Sequence, residues 1–240
     1  DLHSFPTRRS SDLLVNDGKT VCRPSDISRH EPADGTISER IEMGVYINPG
    51  NEGFAESVHD EYYADKTGMI RFVNAALGTK RKEICFTRPR RFGKTTAANM
   101  LAAYYSCGCD SRNLFRGLQI EADPSFEENL NRYPVIYFGL ISFLTDRKIA
   151  PQDIVKTLEQ KIIDELIREY PDCKISPSMS LLDCLLEISA VIRTKFIVIV
   201  DEWDMIFREH RDNISLQREY IDFLRMLFRG NEVPQYLAGA

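Results

Sequence analysis

At 240 residues, with 43% hydrophobic and 28% charged side chains, the chain can bury a full core and has the make-up of a globular protein rather than a fibrous or low-complexity one. A formal net charge of −5 argues against a global basic field for nucleic acid, although Lys80, Arg81, Lys82, Arg88, Arg90 and Arg91 form a local basic cluster. No apolar run approaches the roughly 20 residues of a membrane span and no signal-peptide segment is evident, while six cysteines without zinc-ligand spacing read as reduced thiols of a cytoplasmic protein, Cys85 and Cys184 in its core.

Residues 1–40 read as a leader outside the fold. Within 1–13 the run Phe5-Pro6-Thr7-Arg8-Arg9-Ser10-Ser11-Asp12-Leu13 looks like a translated sequencing adapter. The stretch to Glu39 is polar and without apolar period, the composition of a disordered segment. One folded unit is expected over 41–240, with Met43 a candidate start of translation. Met43 to Asn51 reads as extended backbone closing on the Pro49-Gly50 turn, followed by a short helix from Phe54 to His59. A helix is expected from Thr67 to Leu77, its apolar face formed by Met69, Ile70, Phe72, Val73 and Leu77, and this leader is expected on the sheet edge.

From Lys82 to Thr96 the chain reads as a short strand (Ile84 to Phe86), a polar loop, then Gly93-Lys94-Thr95-Thr96 opening a helix to Tyr105. A phosphate-binding loop needs that order. Backbone N–H groups curl around the phosphates, the lysine reaches the β- and γ-phosphates, the next hydroxyl ligates Mg2+, and the helix dipole points its positive end at the anion. The glycine that usually stands five residues before Gly93 is replaced by Arg88. Gly-Lys-Thr-Thr is a short string, and a solvated Arg/Lys loop before a helix would also read this way.

Short helical pieces are expected from Asn113 to Leu118 and from Pro124 to Leu130, then a buried strand from Pro134 to Ile141. Helix Gln152 to Tyr170 carries one row of Ile154, Leu158, Ile162 and Leu166 and a second of Ile163, Ile167 and Tyr170. Helix Ser180 to Arg193 repeats the pattern. Lys195 to Asp204 is an unbroken β-branched and aromatic run closing on acids, as in a central strand buried on both faces. Ligands of open α/β sheets sit at such carboxyl ends. Asp201 is expected to hold the Mg2+ and Glu202 to polarise the attacking water. The alternative is a buried strand that merely ends in acidic turn residues. Trp203 is expected to pack under the sheet end, and His59 and His210 to be surface residues. After helix Ser215 to Arg229, residues 233–240 look like the start of another strand. This alternation gives an α/β fold, a three-layer α/β/α sandwich with a mainly parallel sheet; with the phosphate-loop order it is expected to be of P-loop NTPase type, and the strand only begun at 233–240 would leave it incomplete at its C-terminus.

Met43 to Phe54, Tyr63-Ala64-Asp65-Lys66-Thr67-Gly68, Arg88-Pro89-Arg90-Arg91-Phe92-Gly93-Lys94-Thr95 and Ile199-Val200-Asp201-Glu202-Trp203-Asp204 together resemble the bacterial predicted AAA-ATPase-like family, from about residue 42 to the C-terminus. In that family the Arg-Pro-Arg-Arg-Phe-Gly-Lys form of the loop is usual, so the resemblance implies a working site despite Arg88. It implies Gly93, Lys94 and Thr95 at the phosphates and Mg2+ and Asp201 and Glu202 as the second acidic motif, with Thr95 and Asp201 at the metal and Lys94 and Glu202 in catalysis. Pro89, Phe92 and Thr96 are expected in the same phosphate-binding loop, and Arg90 and Arg91 either contact phosphates or are solvated loop arginines. The cofactors implied are ATP and Mg2+. The partners expected are ATP, a C-terminal nuclease-like domain of the PD-(D/E)XK type in a longer protein, and other copies of the chain in an oligomer; neither nucleic acid nor membrane is supported. In related ATPases a fourth strand inserts between the loop strand and the acidic strand. Residues 234–240 would be its first part, leaving the sensor on that strand, the arginine finger and the rest of the domain outside this chain.

Two function classes follow. One is an ATPase whose hydrolysis drives or gates an attached effector domain, favoured by Glu202. The other is a nucleotide-gated regulatory module with little or no hydrolysis, favoured by Arg88, because a Cβ there limits how closely backbone approaches phosphate. A small-molecule kinase has no recognisable acceptor site in the sequence.

Overall fold

The computed structural model describes residues 44–87 and 92–240. The leader assigned to 1–40, Met43, and the loop residues Arg88, Pro89, Arg90 and Arg91 lie outside the described residues.

Three strands form one parallel sheet in the order β1 (Val135–Gly139), β2 (Phe196–Asp201), β3 (Leu237–Gly239). Val135 stands opposite Ile197 and Gly139 opposite Asp201, so β1 and β2 end together. Irregular segments extend both edges. Beside β1, Ile47 bridges Ile136 in antiparallel sense, and Asn48 donates its N–H to Val135 O at 2.8 Å. Beyond β3, Ile84 donates to Ala240 O at 2.7 Å and Ala240 donates to Lys82 O at 2.9 Å, the alternating pattern of a parallel pair. The end of the chain therefore lies between segment 82–84 and β2, where an inserted strand was expected.

The helices in chain order are α1 (Glu52–Val58), α2 (Ile70–Asn74), α3 (Lys94–Tyr105), α4 (Phe126–Asn129), α5 (Ile141–Thr145), α6 (Ile154–Glu169), α7 (Leu181–Ile192), α8 (Met205–Glu209), α9 (Ile214–Phe228) and α10 (Val233–Tyr236). They cover both faces of the sheet. On β2, Phe196 and Val198 belong to a core shared with α6, α7 and α9, whereas Ile197 and Ile199 belong to a second core with α3, Phe54 of α1 and Ile70 of α2. The two-residue period of a strand makes that division. On α6 the row Ile154, Leu158, Ile162 and Leu166 is buried throughout, each side chain contributing about 1.5–3 kcal/mol. Ser180 caps α7 by accepting the N–H of Asp183 at 3.1 Å, and Asn213 caps α9 through Leu216 N–H at 3.1 Å.

Several expectations are corrected. Ile84 to Phe86 is not a regular strand: it makes one ladder bond, from Ile84 N–H to Ala240 O, and Cys85 and Phe86 are exposed, so Cys85 is outside the core. Cys184 is buried as expected. The strand expected to run to Ile141 stops at Gly139, and Ile141 starts α5 with its side chain exposed. Residues 233–236 turn as a helix before β3 begins, Pro234 sitting in the first turn where no N–H is needed. Phe72 is exposed beneath the Arg71 guanidinium instead of completing a core face. The leader helices pack on the α3 side of the sheet, while the leader's two ends reach its edges: Ile47 bridges β1, and Gly78, next to Leu77, donates its N–H to Ala238 O of β3 at 2.8 Å.

Candidate nucleotide site

In a parallel sheet every strand ends on one edge, so Asp201, Gly139 and the segment leaving Ile84 share the carboxyl edge. The direction of α3 is set by its far end. Ser106 forms a parallel bridge with Tyr133, just ahead of β1, and Tyr133 donates its N–H to Tyr105 O at 3.0 Å. The last turn of α3 is thereby fixed at the amino edge. Twelve helical residues cover about 18 Å, close to the roughly 20 Å from Tyr133 to Gly139 along the strand. A helix of this length, anchored at that end, is long enough to carry its first turn, Lys94 to Thr96, across the sheet toward the carboxyl edge.

Strand alternation then sorts the two acids. Asp201 follows Ile197 and Ile199 on the face covered by α3. Tyr137, packed on that face, has its hydroxyl pushed up to about 12 by burial and by the negative charge of Asp201. Glu202 leaves the strand in the left-handed region, φ 51°, a conformation that non-glycine residues rarely adopt. Its carboxylate meets Arg208 on α8, Nη2 to Oε2 at 3.3 Å, and Arg208 Nη1 donates to Asp204 Oδ2 at 2.9 Å.

The helix begins from Gly93, also left-handed at φ 71°, and no side chain caps it. The first N–H groups of an α-helix have no partner inside the helix. Lys94 and Thr96 are half-buried and Thr95 is exposed. The Phe92 side chain is 61% exposed, and its carbonyl accepts a hydrogen bond from Lys66 Nζ at 2.9 Å.

A family model described as Predicted AAA-ATPase matches residues 50–235. The chain belongs to the AAA-ATPase-like family. No curated protein and no solved structure matches it. Membership in the AAA-ATPase-like family points to a nucleotide as ligand.

Among the described residues of this AAA-ATPase-like chain, no group of three or more His, Cys, Asp or Glu could hold a metal ion, and no helix is long and apolar enough to cross a membrane. A cavity of about 370 Å³ is lined by Arg71, Asn74, Asp123, Ser125, Glu128 and Tyr133, and Phe92 to Thr96 take no part in its lining. Trp203 is 44% exposed with its ring 6.4 Å from Phe207, so it does not pack under the sheet end. His59 is exposed and His210 half-buried, without a catalytic constellation.

Two residues at this edge were not singled out from the sequence. Arg208 had a readable signal, its spacing of four from Asp204 on one helix face. Lys66 had only its place in the Tyr63–Gly68 segment, because its partner lies 26 residues away.

Proposed function

We propose that this AAA-ATPase-like domain binds ATP with Mg2+ at the carboxyl edge of its sheet and hydrolyses it, driving or gating an attached effector domain, within a P-loop NTPase type of sandwich. What supports the reading is that α3 starts from left-handed Gly93 without a side-chain cap, while Asp201 ends β2 on the sheet face that packs against α3. Lys94 contributes an ammonium to the β- and γ-phosphates, and the N–H groups of the first turn of α3 cradle them. Gly93 fits this task because its left-handed backbone turns the loop into the helix. The donor set suits Mg2+: a hydroxyl from Thr95 and a carboxylate from Asp201 beside phosphate oxygens and water, the sparse protein ligation this ion accepts. Bound Mg2+ supplies neutralisation of phosphate charge. Glu202 orients and deprotonates the attacking water once its carboxylate is released from Arg208. Phe92, Thr96 and, outside the described residues, Pro89, Arg90 and Arg91 complete the loop.

A second reading, a nucleotide-gated module with little hydrolysis, is favoured by the ion pair that occupies Glu202. Single-turnover hydrolysis by the 240-residue chain, wild type against Glu202→Gln, separates the two. Loss of turnover with retained binding supports the ATPase. Equal inertness with retained binding supports the gated module. Binding of Mg·ATP by Lys94→Ala as tight as by wild type overturns both.

A further inference from the structure

Within Tyr63–Gly68, packing accounts for three residues. One oxygen of Asp65 accepts from the Thr67 N–H at 2.8 Å and the Thr67 hydroxyl at 2.7 Å, and the other accepts from Gln119 N–H at 2.8 Å. Fully buried Thr67 accepts in turn from Ile120 N–H at 3.2 Å. A Cβ on Gly68 would meet Gln119 Oε1 at 2.8 Å, so glycine permits this close approach. These contacts dock the segment onto the 3₁₀ turn Gln119–Ala122.

Lys66 takes no part in that docking. Its exposed side chain runs to the loop, where Nζ donates to Phe92 O and lies 2.6 Å from the point a Cβ on Gly93 would occupy. A single hydrogen bond from an exposed lysine adds little global stability once side-chain entropy is counted. Its local consequence is larger. In a planar trans peptide the C=O and the following N–H point in opposite directions, so fixing Phe92 O fixes the direction of Gly93 N–H. With the Phe92 ring exposed, the carbonyl is the handle by which this residue is held.

We infer that Lys66 is a positioning residue of the phosphate loop: its ammonium, carried on a segment locked to Gln119–Ala122, holds the Phe92 carbonyl and so aims the Gly93 peptide and the start of α3 at the anion. The inference rests on the nucleotide reading above. It assigns Lys66 to the loop backbone and leaves the phosphate charge to Lys94.

The test compares wild type, Lys66→Met, Lys66→Arg and Lys94→Ala as 240-residue chains. It measures Mg·ATP affinity by calorimetry and amide hydrogen exchange at Phe92 to Ala97 without nucleotide. Lys66→Met is expected to speed exchange at Gly93 and Lys94, to weaken binding by about tenfold, and to leave the unfolding midpoint in place. Lys66→Arg, which keeps a donor of similar reach, is expected to recover most of both losses. Unchanged exchange and affinity in Lys66→Met, beside a Lys94→Ala control that loses binding, overturns the inference and leaves the nucleotide site standing. A wild-type chain that binds no Mg·ATP overturns the nucleotide site, and this inference falls with it.

Discussion

Arg208 engages two acids of the turn after β2, lying 3.3 Å from the Glu202 carboxylate while donating to Asp204 at 2.9 Å. The pair with Glu202 is about one quarter exposed on each side, so its worth to stability is at most about 1 kcal/mol. Its effect is positional. It holds the carboxylate expected to meet water, on a residue already in the left-handed region, and such outliers gather where a fold trades comfort for function.

The first prediction follows from that geometry. Glu202→Gln is expected to lower single-turnover hydrolysis by about 10²–10⁴-fold with ATP affinity retained, the usual range for a positioned base. Arg208→Met, which removes the charge and keeps the stem, is expected to raise the rate above wild type. Quench-flow with radiolabelled ATP reads both. A slower Arg208→Met would show that the arginine aids the reaction instead of restraining Glu202.

A second prediction concerns stability. Buried Glu165 on α6 accepts three backbone N–H groups, from Val45 at 3.0 Å, Tyr46 at 2.7 Å and Ile47 at 2.8 Å. That carboxylate ties the entering segment to α6 and steadies Ile47 against β1. Glu165→Leu leaves three donors without their acceptor, at about 1–3 kcal/mol for each one that water cannot reach. The expected loss is about 3–5 kcal/mol, against about 1–2 kcal/mol for Glu165→Gln, which keeps one acceptor oxygen. Urea denaturation checks it; equal losses would refute the assignment.

Much of this architecture was legible where local pattern and burial coincide. β2 is apolar because both its faces are covered, and the rows on α6, α7 and α9 keep helical period because each has one buried side. The start of α3 was readable from Gly93-Lys94-Thr95. Misreadings came where two structures share one local pattern. Val233-Pro234 suits the first turn of a helix as well as a strand, and Ile141 prolongs an apolar run beyond the glycine that ends β1. Glu165 falls three residues after Ile162, on the core side of α6, but its partners arrive from about 120 residues upstream. Lys66 likewise meets Phe92 only through tertiary contact. Sequence period carries no record of such pairs.

A third prediction uses the thiols. Cys85 is exposed just before the loop, whereas Cys184 is fully buried and burial pushes its thiol up to about 11. In a Cys22→Ser background at pH 8, a maleimide is expected to modify Cys85 within minutes and Cys184 only after denaturant is added. Peptide mapping by mass spectrometry reads the order. Early labelling of Cys184 would mean that α7 opens readily from the sheet.

The fourth prediction is an alkaline loss of stability through Tyr236. This fully buried side chain donates its hydroxyl toward Leu227 O at 2.8 Å and Met226 O at 3.2 Å, tying α10 and the entry to β3 onto the end of α9. Burial, aided by the charge of Glu232, pushes the phenol up to about 12 from an ordinary value of 10.0. The folded state therefore keeps a proton that the unfolded chain releases. The stability tied to this is fully present below pH 10 and is lost as pH rises from 10 through 12, to a limit of about 2–3 kcal/mol. Tyr236→Phe is expected to cost about 1 kcal/mol at pH 8 through the lost hydrogen bond, and to decline less steeply between pH 10 and 12. The decline persists in part, because Tyr63 and Tyr137 are also raised to about 12, chiefly by burial. Guanidinium denaturation at pH 8 and at pH 11 measures the difference; equal alkaline losses in wild type and Tyr236→Phe would show that Tyr236 is not what couples the inserted strand to proton release.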